Sequence, residues 1–253
     1  MRISLGLAAT VTLGFCMAAS AAQVTVGAGS SWSLGDSTVN WGCDDLVVDG
    51  TLNVQAAVTS NADSVAVSGS GTVAGGSGTL GLTGDFINTG TFSKGTGTVA
   101  IGDGCGNTSS TIAGNQDFRA LSVTTSTGKT LLFTAGATTS VSPGTLTLQG
   151  AAGNLLKIRS TAPGNAALLM LNGTQSISYV DVADNRGLTA VLAPGPASAS
   201  NSVNSGNVLN WFDVLPIIPT LSTLGLLILA VVVALLGTTR SRRRLTASSS
   251  AHA

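Results

Sequence analysis

The stretch SGTVAGGSGTLGLTGDFINTGTFSKGTGTV, residues 70–99, repeats one short pattern four times. The pattern is Ser or Thr, then Gly, then Thr, then an apolar residue, and its copies begin at Ser70, Ser77, Thr89 and Thr96. The first and third copies are 19 residues apart, and so are the second and fourth. A repeat of about 20 residues, with a glycine before each short strand, is typical of a β-solenoid coil.

Alternation of apolar and polar residues extends along the middle of the chain on both sides of this repeat. It occurs in seven short runs, which are residues 51–54, 64–68, 79–83, 98–101, 120–124, 145–149 and 176–182. A period of two residues predicts strands with one buried face. The runs are too short and too evenly spaced for a helical domain. We therefore predict an all-β domain over residues 23–213, a right-handed parallel β-helix, with an antiparallel β-sandwich as the alternative.

The charge of this middle region limits its chemistry. The whole chain has 11 basic and 11 acidic residues, but six basic residues and all 11 acids lie between Gln23 and Asp213, which gives a net charge of −5 there. Every acid is Asp, and the single His is His252. Histidine-dependent nucleophilic catalysis and histidine-ligated metal sites are therefore excluded from the middle region. An acidic domain is also a poor electrostatic partner for nucleic acid.

The N-terminus has the pattern of a secretory signal peptide. Arg2 supplies a positive charge, an apolar run follows over residues 5–17, and small residues fill positions 18–22. This order predicts export and removal of residues 1–22. We expect the mature domain to fold in an oxidising compartment.

The C-terminal end has the pattern of a membrane anchor. Residues 221–237 carry no charge, and a helix of this length spans about 25 Å, which residues 215–220 extend to about 34 Å. A basic cluster follows at once, formed by Arg240, Arg242, Arg243 and Arg244. Such a cluster stays on the cytoplasmic side and stops transfer. The sequence thus predicts a sorting motif and transmembrane helix within residues 214–239 and a basic cytoplasmic tail, 240–253.

The segment in front of this helix carries a family resemblance. The residues concerned are Ile218, Pro219, Thr220, Leu221, Ser222 and Gly225. Together with the apolar helix and the Arg cluster, they closely resemble the IPTL-CTERM sorting signal, a relative of the PEP-CTERM signals of Gram-negative bacteria. The resemblance covers residues 217–244, although Thr223 and Leu224 depart from the acidic and aromatic pair of that motif. It implies recognition by an exosortase-like membrane peptidase near the motif, followed by release or transfer of the exported domain to the cell surface.

The last part of the middle region carries a second resemblance. Residues 176–185, 201–207 and 210–212 look like the terminal coils of bacterial surface β-helix proteins. This resemblance supports the predicted architecture and implies nothing about catalysis, because adhesin-like passengers share the pattern.

Cys43 and Cys105 are the only cysteines that remain after removal of the signal peptide. An oxidising compartment favours a disulfide, worth about 4 kcal/mol for a loop this long. Their separation of 62 residues corresponds to about three coils, or about 14 Å along the axis, whereas a disulfide tolerates a Cα separation of about 7 Å. The bond requires a loop that folds back along the axis, and the sequence leaves its formation open.

Two pairs of aspartates are candidate acidic sites. Asp181 with Asp184, and Asp44 with Asp45, fit a carboxylate pair for sugar hydrolysis or a Ca²⁺ site. Aspartate also shapes turns and corners through local hydrogen bonds, and we favour this interpretation for both pairs.

Basic and aromatic residues offer two further features. Lys157 and Arg159 share one face of a predicted strand, but no pattern places them near either aspartate pair. Trp32, Trp41 and Trp211 lie near the two ends of the domain, where we expect them to cover the open ends of the core. Stacking of sugars on these rings is the alternative.

The features together predict a function without catalysis. We expect an exported structural or adhesin-like protein of the cell surface or extracellular matrix of a Gram-negative bacterium, anchored in the inner membrane by one helix before processing. Its expected partners are the membrane, the exosortase-like peptidase, and extracellular polysaccharide or surface proteins, with no nucleic acid and no cofactor. The alternative is a polysaccharide-active enzyme on a β-helix scaffold.

Overall fold

The structure, a computed structural model, describes residues 22–212 and shows an all-β parallel solenoid of about eight turns. All pairings between its strands are parallel, so the predicted β-helix architecture is confirmed and the antiparallel sandwich is wrong. Apart from Ala22, the predicted signal peptide lies outside the described residues. The predicted sorting motif, transmembrane helix and basic tail lie outside them as well.

Each of the first seven coils contributes three strands. The first four coils contain β1 (Gln23–Val26), β2 (Ser31–Ser33), β3 (Thr38–Asn40), β4 (Asp45–Val48), β5 (Thr51–Asn53), β6 (Val58–Ser60), β7 (Val65–Val67), β8 (Thr72–Ala74), β9 (Thr79–Leu82), β10 (Phe86–Asn88), β11 (Thr91–Ser93) and β12 (Thr98–Ile101). The next three contain β13 (Ser109–Ala113), β14 (Gln116–Phe118), β15 (Ala120–Thr124), β16 (Thr130–Phe133), β17 (Thr138–Val141), β18 (Thr145–Gln149), β19 (Leu156–Ser160), β20 (Ala167–Leu171) and β21 (Thr174–Ser178). The eighth coil contains β22 (Val180–Gly187) and a 3₁₀ turn at Ala197–Ser200, and β23 (Val203–Leu209) follows and stacks on β22.

These strands stack into three faces. The first face runs from β1 through β4, β7, β10, β13, β16 and β19 to β22, on which β23 then pairs. The third face runs without a break from β3 to β21. The second face has two sections, one from β2 to β11 and one that leads from β14 through β17 and β20 to the second half of β22.

The register of the strands reproduces the sequence repeat. Thr72 is paired with Thr91 on the second face, and Thr79 is paired with Thr98 on the third. Both pairs are 19 residues apart, as the four copies of the pattern require. Thr51 precedes Thr72 in the same column. The repeat in residues 70–99 is therefore one coil stacked on the next.

A glycine opens each of these strands because neighbouring coils come too close for a side chain. A Cβ atom at Gly71 would collide with the carbonyl oxygen of Val48, and one at Gly90 would collide with that of Ser68. These carbonyls belong to the same corner in the preceding coil. The Gly-Thr step in the repeat is thus set by contact between stacked corners.

The core consists of the inward-facing residues of the three faces. Leu46, Val65, Phe86 and Ile112 follow one another in register on the first face, and all four side chains are fully buried. Leu80, Val99, Leu121 and Leu146 form the matching column on the third face. Stacked apolar columns of this kind give each coil a dry interface with its neighbours.

The second face is interrupted between β11 and β14. Side chains instead of backbone hydrogen bonds join the two sections there. Phe86, Phe92 and Phe118 pack edge to face with ring centroids 5.3 to 5.8 Å apart, and Asn88 Nδ2 donates a hydrogen bond of 3.2 Å to Gln116 Oε1. The fourth coil, which begins with β10, is also longer than the third. Phe86 is paired with Ile112, 26 residues onward, whereas Val65 and Phe86 are 21 apart.

Candidate functional site

The first predicted acidic pair, Asp181 and Asp184, lies on β22. Asp181 Oδ2 forms an ion pair of 2.6 Å with Arg159 Nη2, and its other carboxylate oxygen accepts a hydrogen bond of 2.6 Å from Ser205 Oγ. Asp184 accepts a hydrogen bond of 2.6 Å from Asn207 Nδ2, which lowers the pKa of this carboxyl below its usual value. Each carboxylate is therefore held by a different partner on the neighbouring strand.

The ion pair adds a contact for which the sequence offers no pattern. Arg159 contacts Asp181, and its Nη1 also donates a hydrogen bond of 2.5 Å to the backbone oxygen of Asp181. Sequence spacing missed this contact because the two residues are 22 positions apart and meet only through stacking of adjacent coils. Lys157, on the same strand, is exposed.

The Arg159–Asp181 pair predicts a contribution to stability. Its side chains are 26% and 16% exposed, so the pair is only partly screened by solvent. We expect Asp181→Asn to lower the free energy of unfolding by about 1–2 kcal/mol, because the half-buried guanidinium loses its charged partner. Thermal unfolding measures this loss. The exposed Asp36→Asn is the control, and an equal loss in both variants would contradict a specific role for the pair.

The second acidic pair, Asp44 and Asp45, belongs to a ladder at one corner of the solenoid. Asp45 Oδ1 accepts a hydrogen bond from the backbone N–H of Ser64, at 3.2 Å. Ser64 Oγ then accepts one from the N–H of Asp85, and Asp85 Oδ1 one from the N–H of Thr111. Each side chain thus satisfies a backbone donor of the next coil. This is the corner role that we favoured, and it is seen for Asp45.

Cys43 and Cys105 form a disulfide in the structure, with a Cα separation of 5.4 Å. The connection is made by the back-folded loop, residues 102–108, between β12 and β13. A Cβ atom at Gly104 would lie 2.9 Å from Thr83 Cγ2 and 3.8 Å from Asn61 Oδ1, so the loop crosses the corners of two earlier coils. It then reaches Cys43, whose N–H donates to the backbone oxygen of Asn61. The loop folds back along the axis, as the bond requires.

Polar side chains hold the same loop at two more points. Asn107 Nδ2 donates hydrogen bonds to Asp63 Oδ1 and, at 3.2 Å, to Thr83 Oγ1. Asp103 Oδ2 accepts two hydrogen bonds from Ser126, of 2.7 Å from its N–H and 3.1 Å from its hydroxyl. Burial alone would raise the pKa of Asp103, but these hydrogen bonds and those of the neighbouring threonine hydroxyls lower it overall.

A lysine lies fully buried beneath the back-folded loop. Lys129 Nζ donates hydrogen bonds to the backbone oxygens of Thr83 and Asn107, at 2.5 and 3.1 Å, and to Ser110 Oγ at 3.2 Å. Three acceptors match the three donors of an ammonium group. Burial lowers the pKa of Lys129, while Asp103, Asp63 and Asp85 act in the opposite direction. Sequence reasoning missed this residue, since a lysine after Ser-Thr-Gly is typical of an exposed turn.

Two uncharged arrays of polar side chains follow the outer surface of the solenoid. The second-face array covers the first four coils and consists of Ser31, Ser33, Thr51, Asn53, Thr72, Ala74, Thr91 and Ser93. The third-face array covers coils five to seven and consists of Ala120, Ser122, Thr124, Thr145, Thr147, Gln149, Thr174, Ser176 and Ser178. Neighbouring coils repeat about every 4.8 Å, so each array presents hydroxyl or amide groups at a fixed spacing, except at Ala74 and Ala120.

Hydrogen bonds between coils order the side chains of these arrays. The hydroxyls of Thr145 and Thr174 are 2.8 Å apart, and Gln149 Nε2 donates a hydrogen bond of 2.8 Å to Ser176 Oγ. Asn53 Nδ2 donates to Ser31 Oγ at 3.4 Å on the second face. The arrays can bind a neutral polar ligand through many weak hydrogen bonds.

The tryptophans lie at the ends of the stack. Trp32 is in register with the buried Leu52 and points the same way, yet it stays 37% exposed because it belongs to the first coil. Trp41, also in the first coil, is buried. At the other end Trp211 is buried, and its Nε1 donates a hydrogen bond of 2.9 Å to Asn185 Oδ1. These positions fit the interpretation that the rings cover the core.

Some predicted features lie beyond the part of the chain that the structure describes. They are the sorting motif of Ile218, Pro219, Thr220, Leu221, Ser222 and Gly225, and the basic cluster of Arg240, Arg242, Arg243 and Arg244. Within residues 22–212, no helix has the length and apolarity needed to span a membrane. In the same range, no group of three or more His, Cys, Asp or Glu residues is placed to hold a metal ion.

Comparison with protein-family models, with curated proteins and with solved structures gives no match for this chain.

Proposed function

We propose that this protein is an exported structural or adhesin-like element of the bacterial cell surface or extracellular matrix. The observation that carries the proposal is the pair of uncharged polar arrays on the second and third faces. A rigid scaffold that repeats hydroxyl and amide groups every coil can hold a long polymer through many weak contacts at once. Polysaccharides and neighbouring surface proteins are partners of this kind.

The route to the surface is the second part of the proposal. A signal peptide over residues 1–22 directs export, and one transmembrane helix within residues 214–239 holds the chain in the inner membrane. An exosortase-like peptidase then recognises the IPTL-type motif around Pro219, and the Arg cluster stays in the cytoplasm. The disulfide between Cys43 and Cys105 supports this route, because such bonds form outside the reducing cytoplasm. We propose a right-handed winding for the solenoid, the hand that nearly all parallel crossovers take.

The enzyme alternative has less support. Asp181 is engaged by Arg159 and Ser205, and Asp184 by Asn207. A glycosidase needs two carboxyl groups that face one another across the substrate. The contacts of β22 favour a structural role for these aspartates.

The mass of the protein recovered from cells tests the route. We expect a chain that has lost residues 1–22 and also the C-terminal residues from the Arg cluster to His252. The substitution Pro219→Ala should preserve the C-terminal tail, because it alters the motif that the peptidase reads. Pro216→Ala, three residues earlier and outside the motif, is the matched control and should be processed normally. An intact mass that includes His252 in the unsubstituted protein would show that processing at the motif does not occur.

A further inference from the structure

A shallow cleft lies where the hydrogen bonding of the second face is interrupted. The cavity at its base has a volume of only about 10 Å³, room for about one water molecule, and it opens to solvent. Leu80, Phe92 and Val99 line it with apolar groups, and Lys94 and Arg119 line it with positive charge. The sequence does not show this cleft, because Lys94 follows β11 and Arg119 precedes β15 in successive coils. Their meeting depends on how those coils stack.

The two cations differ in how they are paired. Lys94 Nζ lies 2.7 Å from Asp117 Oδ2, and the Asp117 side chain is 58% exposed. Arg119 has neither an ion pair nor a side-chain hydrogen bond to any acceptor within residues 22–212. In contrast, the guanidinium of Arg159 is engaged by Asp181. An acidic domain thus keeps one half-buried guanidinium without an anion, next to a second cation.

The guanidinium of Arg119 lies close to the following coil. A Cβ atom at Gly144 would lie 2.5 Å from Arg119 Nη1 and would collide with the backbone oxygen of Arg119. The side chain therefore lies beside backbone at a position that only glycine permits.

We propose that this cleft binds the carboxylate of an acidic polysaccharide, such as a polymer of uronic acids. This inference rests on the proposed function and names the ligand class for one of its contacts. A guanidinium presents two parallel N–H donors that match a carboxylate, and Lys94 adds a second positive charge. Of the apolar lining residues, Leu80 and Val99 are buried in the core, and the partly buried Phe92 offers a surface to the C–H groups of a sugar ring beside the carboxylate. Because the cleft is shallow, the polymer lies across the surface, and the uncharged arrays on either side contact its hydroxyls.

Calorimetric titration of the protein released from cells with polygalacturonate tests the inference, because it measures the affinity for this polymer. Neutral dextran and dextran sulfate are the comparison polymers. We expect polygalacturonate to bind and dextran to bind at least tenfold more weakly. Arg119→Ala should reduce the affinity for polygalacturonate at least tenfold, because it removes the carboxylate-binding fork. Arg186→Ala is the matched control, since it removes the same charge from an exposed position on β22, and it should change the affinity less than twofold.

A variant that should bind polygalacturonate more tightly provides a second test. Asp117→Asn frees Lys94 and removes the negative charge nearest to the cleft, so it should raise the affinity about threefold or more, which misfolding cannot produce. Equal losses in the Arg119 and Arg186 variants, or equal binding of dextran sulfate, would mean nonspecific charge attraction and would overturn the inference. Absence of polygalacturonate binding would overturn it as well. None of these results affects the proposed surface location, which the intact mass of the protein tests separately.

Discussion

Loss of the Cys43–Cys105 disulfide is expected to lower the free energy of unfolding by about 4 kcal/mol, because the bond closes a loop of 62 residues in the unfolded chain. For a domain of about 190 residues, this corresponds to a fall of roughly 8–16 °C in the midpoint of thermal unfolding. Cys105→Ser with Cys43→Ser removes the bond without adding a free thiol. Circular dichroism with and without reductant measures the effect.

The loss should be uneven along the solenoid. The disulfide joins the corner of the first coil to that of the fourth, so its removal loosens the back-folded loop and the coils that it crosses. In a stacked repeat each coil contacts only its neighbours, and hydrogen exchange should therefore accelerate in residues 23–108 more than in residues 130–187. Reductant should not change the double variant further. A uniform acceleration across both ranges would contradict the proposal that the bond acts on the first four coils.

Replacement of Lys129 is expected to have a similarly large effect. Lys129→Ala leaves the backbone oxygens of Thr83 and Asn107 without their donor and opens a cavity beneath the back-folded loop. A loss of about 3–5 kcal/mol follows from unpaired buried acceptors and missing volume. Denaturant unfolding measures it. Lys157→Ala, which removes an exposed lysine two coils away from the loop corner, is the control and should cost less than about 0.5 kcal/mol.

Lys129 also predicts a dependence of stability on pH. Its pKa is lower in the folded protein than the ordinary value of 10.5, chiefly because of burial. Between the two pKa values the unfolded chain binds more protons, so the contribution of Lys129 becomes more favourable as the pH rises through this window. Lys129→Met fills the volume without a titrating group. The difference in unfolding free energy between the native protein and this variant should therefore increase with pH, and a constant difference would contradict the assignment.

The sequence predicted the repeating part of the fold because the information there is local. The 19-residue spacing of Ser/Thr-Gly-Thr in residues 70–99 is reproduced by the pairing of Thr72 with Thr91 and of Thr79 with Thr98. The alternation of apolar and polar residues predicted which residues of each strand are buried. All four apolar residues of the column from Leu80 to Leu146 are buried as expected. The turn role favoured for Asp45 agrees with its hydrogen bond to Ser64.

The candidate sites were predicted less well because they depend on contacts between coils of unequal length. The loop of residues 102–108, the burial of Lys129 and the pairing of Arg159 with Asp181 join residues that are 19 to 62 positions apart. When the coils differ in length by several residues, no periodic pattern in the sequence indicates which distant residues will be in contact. The cleft beside Arg119 has the same origin, since it lies where the second face is interrupted.

By itself, the sequence determined that the region from residue 23 onward is built from stacked parallel coils, because strand period, corner glycines and coil length are properties of neighbouring residues. Only the tertiary structure decided which corners touch. The back-folded loop brings Cys105 to Cys43 across three coils, and this depends on its path over Asn61 and Thr83. The tertiary structure also places Lys129 in the core and leaves Arg119 without an anion among residues 22–212, because both outcomes depend on how the fourth and fifth coils stack.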